Sequence, residues 1–352
     1  MIARFACCLL AGGFLSVSTG RLIAAEPLRG ALYSVDQVEH LSGASLMQAG
    51  YSTVVITASE GAAVSDSVRG AARRLQAAGL DLGLWIEVGR DPKLATAHPE
   101  WMASIQGHPE WRRFFPEFPE TPAGQVVKVF PWVPISFKGA FEAQLAKVKR
   151  QLATWPEMRR VFLNDIQAAP SACGCGHPLC RWTTDYGPVK TAENLGDEAA
   201  ARFIESVASL RDGLEVIPVW ATECEEGDKP GLCAGVGCYG GACWREWTAQ
   251  LEPLVGVSDR VGALLLQEGF RRPGGDEWLR RIPAVFSEMP KRYQRQGIGP
   301  ERLIAVIEGT MPTSRTTVRS RIKALGEAGV DSYLVAMTGI AQDWEPRHIE
   351  VR

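Results

Sequence analysis

The sequence predicts an α/β fold of the (β/α)8 TIM-type barrel kind, and three observations predict it. Eight short apolar runs rich in β-branched residues recur along the chain, and most are followed by a segment of helical periodicity. The connections after the third, fourth and fifth runs are long while the others are short. Near-continuous apolar strands alternating with amphipathic helices imply a parallel sheet covered on its outer face, and eight such units close into a barrel.

The chain opens with one basic residue, Arg4, then the apolar run Phe5 to Val17 and small residues up to Ala24 and Ala25, the three-part layout of a secretion signal. The run is shorter than the roughly 20 apolar residues of a spanning helix, and Arg21 interrupts it where an anchor would continue. The expectation is cleavage near Ala25, leaving residues 26–352 as one barrel domain, secreted or periplasmic, with no membrane association after cleavage. An uncleaved N-terminal anchor is the alternative.

The strands read as Ala31 to Val35, Thr53 to Thr57, Leu82 to Val88, Arg160 to Asp165, Val216 to Thr222, Gly262 to Gln267, Leu303 to Ile307 and Ser332 to Met337. Helices fit between them at Val38 to Gln48, Asp66 to Ala78, Phe141 to Leu152, Asp197 to Leu210, Trp244 to Leu254, Trp278 to Arg295 and Thr316 to Glu327. Only Ala341 to Arg352 follow the eighth strand, and they contain Pro346, so the barrel is expected to be distorted or incomplete at its last helix. An open doubly wound sheet is the competing architecture.

A formal net charge of -2 with scattered Lys and Arg removes the electrostatic footprint of a nucleic-acid binder. No Gly-x-Ser-x-Gly elbow, phosphate loop or dinucleotide fingerprint is present, so no cofactor is expected. The oligomeric state is not legible.

In a (β/α)8 barrel the segments after strand C-termini share one face, where active sites are built. The long connections Gly89 to Gly139, Ile166 to Gly196 and Glu223 to Cys243 should therefore wall a cleft. The first two hold Trp101, Trp111, Phe114, Phe115, Phe118, Trp132, Trp182 and Tyr186, and Trp85 stands in the third strand. Aromatic faces stack on sugar rings but equally make cores. His98-Pro99-Glu100-Trp101 returns as His108-Pro109-Glu110-Trp111. Two capped turns of the same local chemistry explain this repeat better than a paired metal site, which needs more ligands.

Acidic residues stand at or just beyond several strand ends: Asp36, Glu87, Asp165, Glu223, Glu268 and Glu308. A ring of carboxylates there fits glycosidic-bond hydrolysis, in which one acid protonates the leaving oxygen and a second carboxylate serves as nucleophile or base. Helix capping or pairing with Arg is the structural use of the same residues.

Asn164-Asp165 ends the run Val161 to Leu163, and Glu308 ends the run Ile304 to Ile307. This arrangement resembles the largest clan of barrel glycoside hydrolases, where an Asn-Glu pair ends the fourth strand and a Glu ends the seventh. The resemblance implies Asp165 as acid/base, Glu308 as nucleophile or base and Asn164 as a substrate contact. Asp in place of Glu shortens the reach by a methylene and leaves open whether the mechanism is retaining or inverting. The region from His98 through Trp182, with its His-Pro-Glu-Trp loop, Pro131-Trp132-Val133-Pro134 segment and Asn-Asp strand end followed by cysteines, also resembles secreted glycoside-hydrolase-like barrel families of poorly characterised proteins. That likeness implies a barrel and a carbohydrate partner, not a particular substrate.

Of nine cysteines, Cys7 and Cys8 fall in the signal, leaving Cys173, Cys175, Cys180, Cys224, Cys233, Cys238 and Cys243 in two adjacent long loops. Export makes disulfides the default. Zinc held by Cys173, Cys175, His177 and Cys180 is the alternative. The resulting expectation is a glycoside hydrolase acting on a poly- or oligosaccharide. Asp165 and Glu308 are its working pair, with Glu87, Glu223 and Glu268 in reserve. Asn164, Trp85, Trp101, Trp111, Trp132 and Trp182 contact the sugar. A non-catalytic carbohydrate-binding barrel and a metal-dependent protein centred on the cysteines are the alternatives.

Overall fold

The computed structural model describes residues 26–57, 64–104, 115–135, 137–166, 192–221, 258–266, 279–280, 298–310, 313–340 and 345–350. Its strands are β1 (Arg29–Ser34), β2 (Thr53–Thr57), β3 (Asp81–Glu87), β4 (Ala103–Ser104), β5 (Gln125–Phe130), β6 (Arg160–Asn164), β7 (Glu215–Ala221), β8 (Val261–Leu264), β9 (Leu303–Glu308), β10 (Ser332–Ala336) and β11 (Glu345–Glu350). The described α-helices of more than two residues are α1 (Gly43–Gln48), α2 (Asp66–Ala77), α3 (Pro92–Ala97), α4 (Lys138–Thr154), α5 (Ala192–Ala208) and α6 (Arg315–Glu327).

Eight strands close in the order β1-β10-β9-β8-β7-β6-β3-β2, every pairing parallel. Closure excludes the open doubly wound sheet. Each of the eight apolar runs is a barrel strand, and β2 spans Thr53–Thr57, the range read from its composition. The physical reason is burial on both faces. Leu32, Val55, Trp85, Phe162, Val219, Leu264, Val306 and Leu334 fill the barrel interior. Their neighbours along the strands, such as Ile86, Leu163, Ile307 and Val335, meet the helices outside. Fully burying one such large apolar side chain is worth about 1.5–3 kcal/mol.

Local signals set the helix starts. Ser65 caps α2 by accepting from the Val68 amide, and Ser314 caps α6 by accepting from the Thr317 amide. The helix expected over Val38 to Gln48 is instead two pieces, a 3-10 turn at Val35–His40 followed by α1. Ser42 breaks the run, because it caps α1 by accepting from the Ser45 amide at 3.3 Å. The expected helix Trp244 to Leu254 lies outside the described residues, as does Trp278 to Arg295 apart from helical Leu279 and Arg280.

The chain end carries a strand, β11, where an eighth helix would stand, in keeping with the expectation of a barrel incomplete at its last helix. β11 pairs antiparallel with β5 from Glu345↔Phe130 to Glu350↔Gln125, and β4 holds the other edge of β5 at Ala103↔Val129 and Ser104↔Lys128. Pro346 is tolerated because β11 is an edge strand, where a missing amide donor costs no ladder bond on the open side. The long connection after β3 is therefore built rather than loose. Beneath this second sheet Ala95, Met102, Val133 and Ala140 form a separate small core with Trp101, Phe137 and Ile349. No helix among the described residues is long and apolar enough to cross a membrane.

Candidate functional site

Residues two apart on a strand share a face. Glu87 follows Trp85, Asn164 follows Phe162, and Glu308 follows Ile304 and Val306, all of the barrel interior. These three polar residues thus occupy the inner positions at the C-terminal ends of β3, β6 and β9. Parallel register sets Glu87 directly beside Asn164. Asn164 donates from Nδ2 to Glu87 Oε2 at 2.7 Å, and Trp85 donates from Nε1 to Glu87 Oε1 at 2.7 Å. Both oxygens of one carboxylate are thereby held in place. Asn164 Oδ1 is buried without a hydrogen-bond partner.

Glu308 is buried at the end of β9 and accepts from Arg321 of α6 at 3.1 Å. Asp165 is placed differently from the mouth position read in the sequence. It lies one residue past the β6 ladder, has a left-handed φ of 53°, and is fully buried. Strand parity already sets position 165 on the face opposite Asn164. Its carboxyl faces Arg90, whose Nε lies 3.8 Å away. Burial first, and then the negative charge of Glu87, push the Asp165 pKa well above the usual carboxylate range, against the opposing effect of Arg90. The structure therefore brings Glu87 and Asn164 together and buries Asp165 beside Arg90.

Trp85 and Trp132 belong to packing. Trp85 is stacked with Phe162 at a centroid distance of 6.1 Å inside the barrel, and Trp132 is fully buried with the Arg90 guanidinium 5.5 Å from its ring centroid. Trp101 stacks on His98 at 3.8 Å. The first His-Pro-Glu-Trp copy is a 3-10 turn at Pro99–Trp101 without a side-chain cap, its His98 carbonyl accepting from the Trp101 amide at 3.0 Å. Neither Trp85 nor Trp132 offers an open face to a sugar; the reason is that both large rings fill cores. Asp36, at the first strand end, is solvent-exposed in the 3-10 turn, where a hydrogen bond from Ser34 holds its pKa below the usual range. Glu223, Glu268, Trp111, Trp182, Cys173, Cys175, His177 and Cys180 lie outside the described residues, as do Cys224, Cys233, Cys238 and Cys243.

Sequence reasoning missed Arg90 and Arg321. Arg321 carried a readable signal, because it falls in the apolar stripe of α6 with Val318, Ile322 and Leu325, where a charge needs a buried partner. Arg90 had no such pattern around it.

No protein-family model matches the chain, and no curated protein matches it in sequence. Solved structures do match in fold. The hyperthermostable endo-1,4-beta-D-mannanase from Thermotoga petrophila RKU-1 is similar over 90% of each chain, with a TM-score of 0.50 and 12% identity. The beta-galactosidase from the psychrophilic Marinomonas ef1 gives a TM-score of 0.49 at 10% identity over 90% of this chain but 55% of that one. A xylose isomerase domain protein from Planctomyces limnophilus gives 0.37 at 13% identity over 89% of this chain and 92% of that one. The chain is a (β/α)8 barrel of enzyme-like form. At such identities likeness establishes fold and not reaction, because one barrel hosts many chemistries.

Proposed function

We propose that the protein is an exported glycoside hydrolase acting on a poly- or oligosaccharide, with Glu87 and Glu308 as its working carboxylates and Asn164 as a substrate contact. The observation that carries this reading is the placement of both glutamates on inner strand positions at the same end of one barrel, with Glu87 fixed by Trp85 and Asn164. One carboxyl gives its proton to the leaving oxygen; the other attacks the sugar carbon or takes a proton from the attacking water. Asp165, on the strand face opposite Asn164, is left out of this pair.

The test compares wild type, Glu87→Gln and Glu308→Gln in glycan cleavage, sugar binding and thermal melting. Each amide should lower turnover by about 10² to 10⁴ while binding persists. For Glu87→Gln, a melting temperature falling in step with activity would reassign the carboxylate to structure. Glu308→Gln also breaks the buried pair with Arg321 and is therefore read in turnover and sugar binding at a temperature where the variant is folded. No cleavage by the wild type across a broad glycan panel would favour a carbohydrate-binding barrel.

A further inference from the structure

Asp165 presents a chemical problem that its neighbours do not solve. Both carboxyl oxygens are buried and neither takes part in a hydrogen bond. The Arg90 Nε at 3.8 Å lies beyond hydrogen-bonding distance. A carboxylate withdrawn from water needs donors or a close cation to recover its solvation, whereas a neutral acid loses far less on burial. Among the described residues the charged groups that act on it are Glu87 at the end of β3 and Arg90 just beyond. The neighbouring Asp91 is engaged by Lys147 of α4 at 3.0 Å. The β6 residue beside it is the uncharged Asn164.

The backbone at this point is equally constrained. The Gly89 amide donates to the Asp165 carbonyl at 3.0 Å, and the Gly89 carbonyl accepts from the Val133 amide at 2.7 Å. A Cβ at position 89 would sit 2.5 Å from the Asp165 carbonyl oxygen, so only glycine permits this approach. The β3–β6 seam is thus closed at the Asp165 backbone, and the segment after β5 is tied to it through Val133.

We infer that Asp165 is carried in the folded protein as the uncharged acid, its buried carboxyl free of hydrogen bonds among the described residues where the Gly89 amide closes on its own carbonyl. Losing that proton would place an unsolvated charge at the seam and drive water toward it. The state of Asp165 is read without substrate and does not rest on the proposed function.

Burial and Glu87 raise the folded-state pKa of Asp165 above its unfolded value. Below the ordinary carboxylate range both states are protonated and nothing is lost. Above it the unfolded chain ionises first, so stability falls as pH rises until the raised value is reached. Urea unfolding of the full mature chain should show the wild type losing about tenfold in folding constant per pH unit relative to Asp165→Asn across that window. Infrared spectra of the wild type labelled at aspartate should show a protonated carboxyl band that persists above the ordinary carboxylate range and disappears on unfolding. In Glu87→Gln that band should vanish at lower pH, because the like charge is gone. An Asp165→Asn protein less stable than wild type throughout, with no difference in pH slope, would make Asp165 the ionised partner of Arg90 and overturn the inference. So would a folded wild type without the band. A band unmoved by Glu87→Gln would break the link to Glu87. Absence of glycan cleavage would count against the proposed function alone.

Discussion

Arg321 of α6 reaches Glu308 at the end of β9 with a 3.1 Å ion pair in which the two side chains are 6% and 8% exposed. A helix on the outside of the barrel thereby holds a carboxylate that the strand delivers to the mouth.

That pair predicts a large and asymmetric cost. Arg321→Met should destabilise the protein by about 3–5 kcal/mol, because it removes one partner of a buried ion pair. Replacing Glu308 by Leu in the same protein should recover much of the loss. Urea denaturation of the single and double variants checks this. A single-variant loss within about 0.5 kcal/mol, as at an ordinary surface site, would contradict it.

A second buried pair predicts a pH effect of opposite sign to that of Asp165. Asp91 caps α3 by accepting from the Leu94 amide at 2.9 Å, and Lys147 and Gln144 of α4 donate to its other oxygen at 3.0 and 3.2 Å. Burial by itself would raise the Asp91 pKa, but Lys147, the Leu94 amide and Gln144 together hold it below the usual range. A lowered folded-state pKa gives stability that is present above the ordinary carboxylate range and is lost as pH falls through the lowered value. Lys147→Met should cost about 3–5 kcal/mol at neutral pH, and its gap from wild type should narrow on acidification below about pH 4. Unfolding curves for the two proteins between acid and neutral pH test this; a gap constant with pH would refute it.

Gly139 predicts a reversed sign for a routine helix substitution. In an open helix Gly→Ala gains about 0.5–1 kcal/mol. Here the Cβ would fall 2.2 Å from Cζ2 of Trp101, whose ring is stacked on His98. Gly139→Ala should therefore destabilise, by roughly 1–3 kcal/mol as overpacking does. Thermal melting with Trp fluorescence reads both the loss and the displaced indole; a stabilised variant would show that Trp101 moves freely.

Sequence by itself determined the barrel, because burial on both faces writes each parallel strand as a continuous apolar run, visible in Thr53–Thr57 and Leu303–Glu308 alike. It also placed acids at strand ends, since a strand's C-terminus is a local property. Tertiary structure alone decided which of them act together. Glu87 meets Asn164 through the register of β3 against β6, and register is a relation between distant segments. The burial of Asp165 beside Arg90 was likewise decided by segments distant in sequence. The partnership of β11 with β5 was equally hidden, because an edge strand carrying Pro346 has no strong pattern of its own and becomes a strand through the neighbour it finds. Arg90 and Arg321 acquired their meaning in the same way, since a buried charge is explained only by the partner folding brings to it.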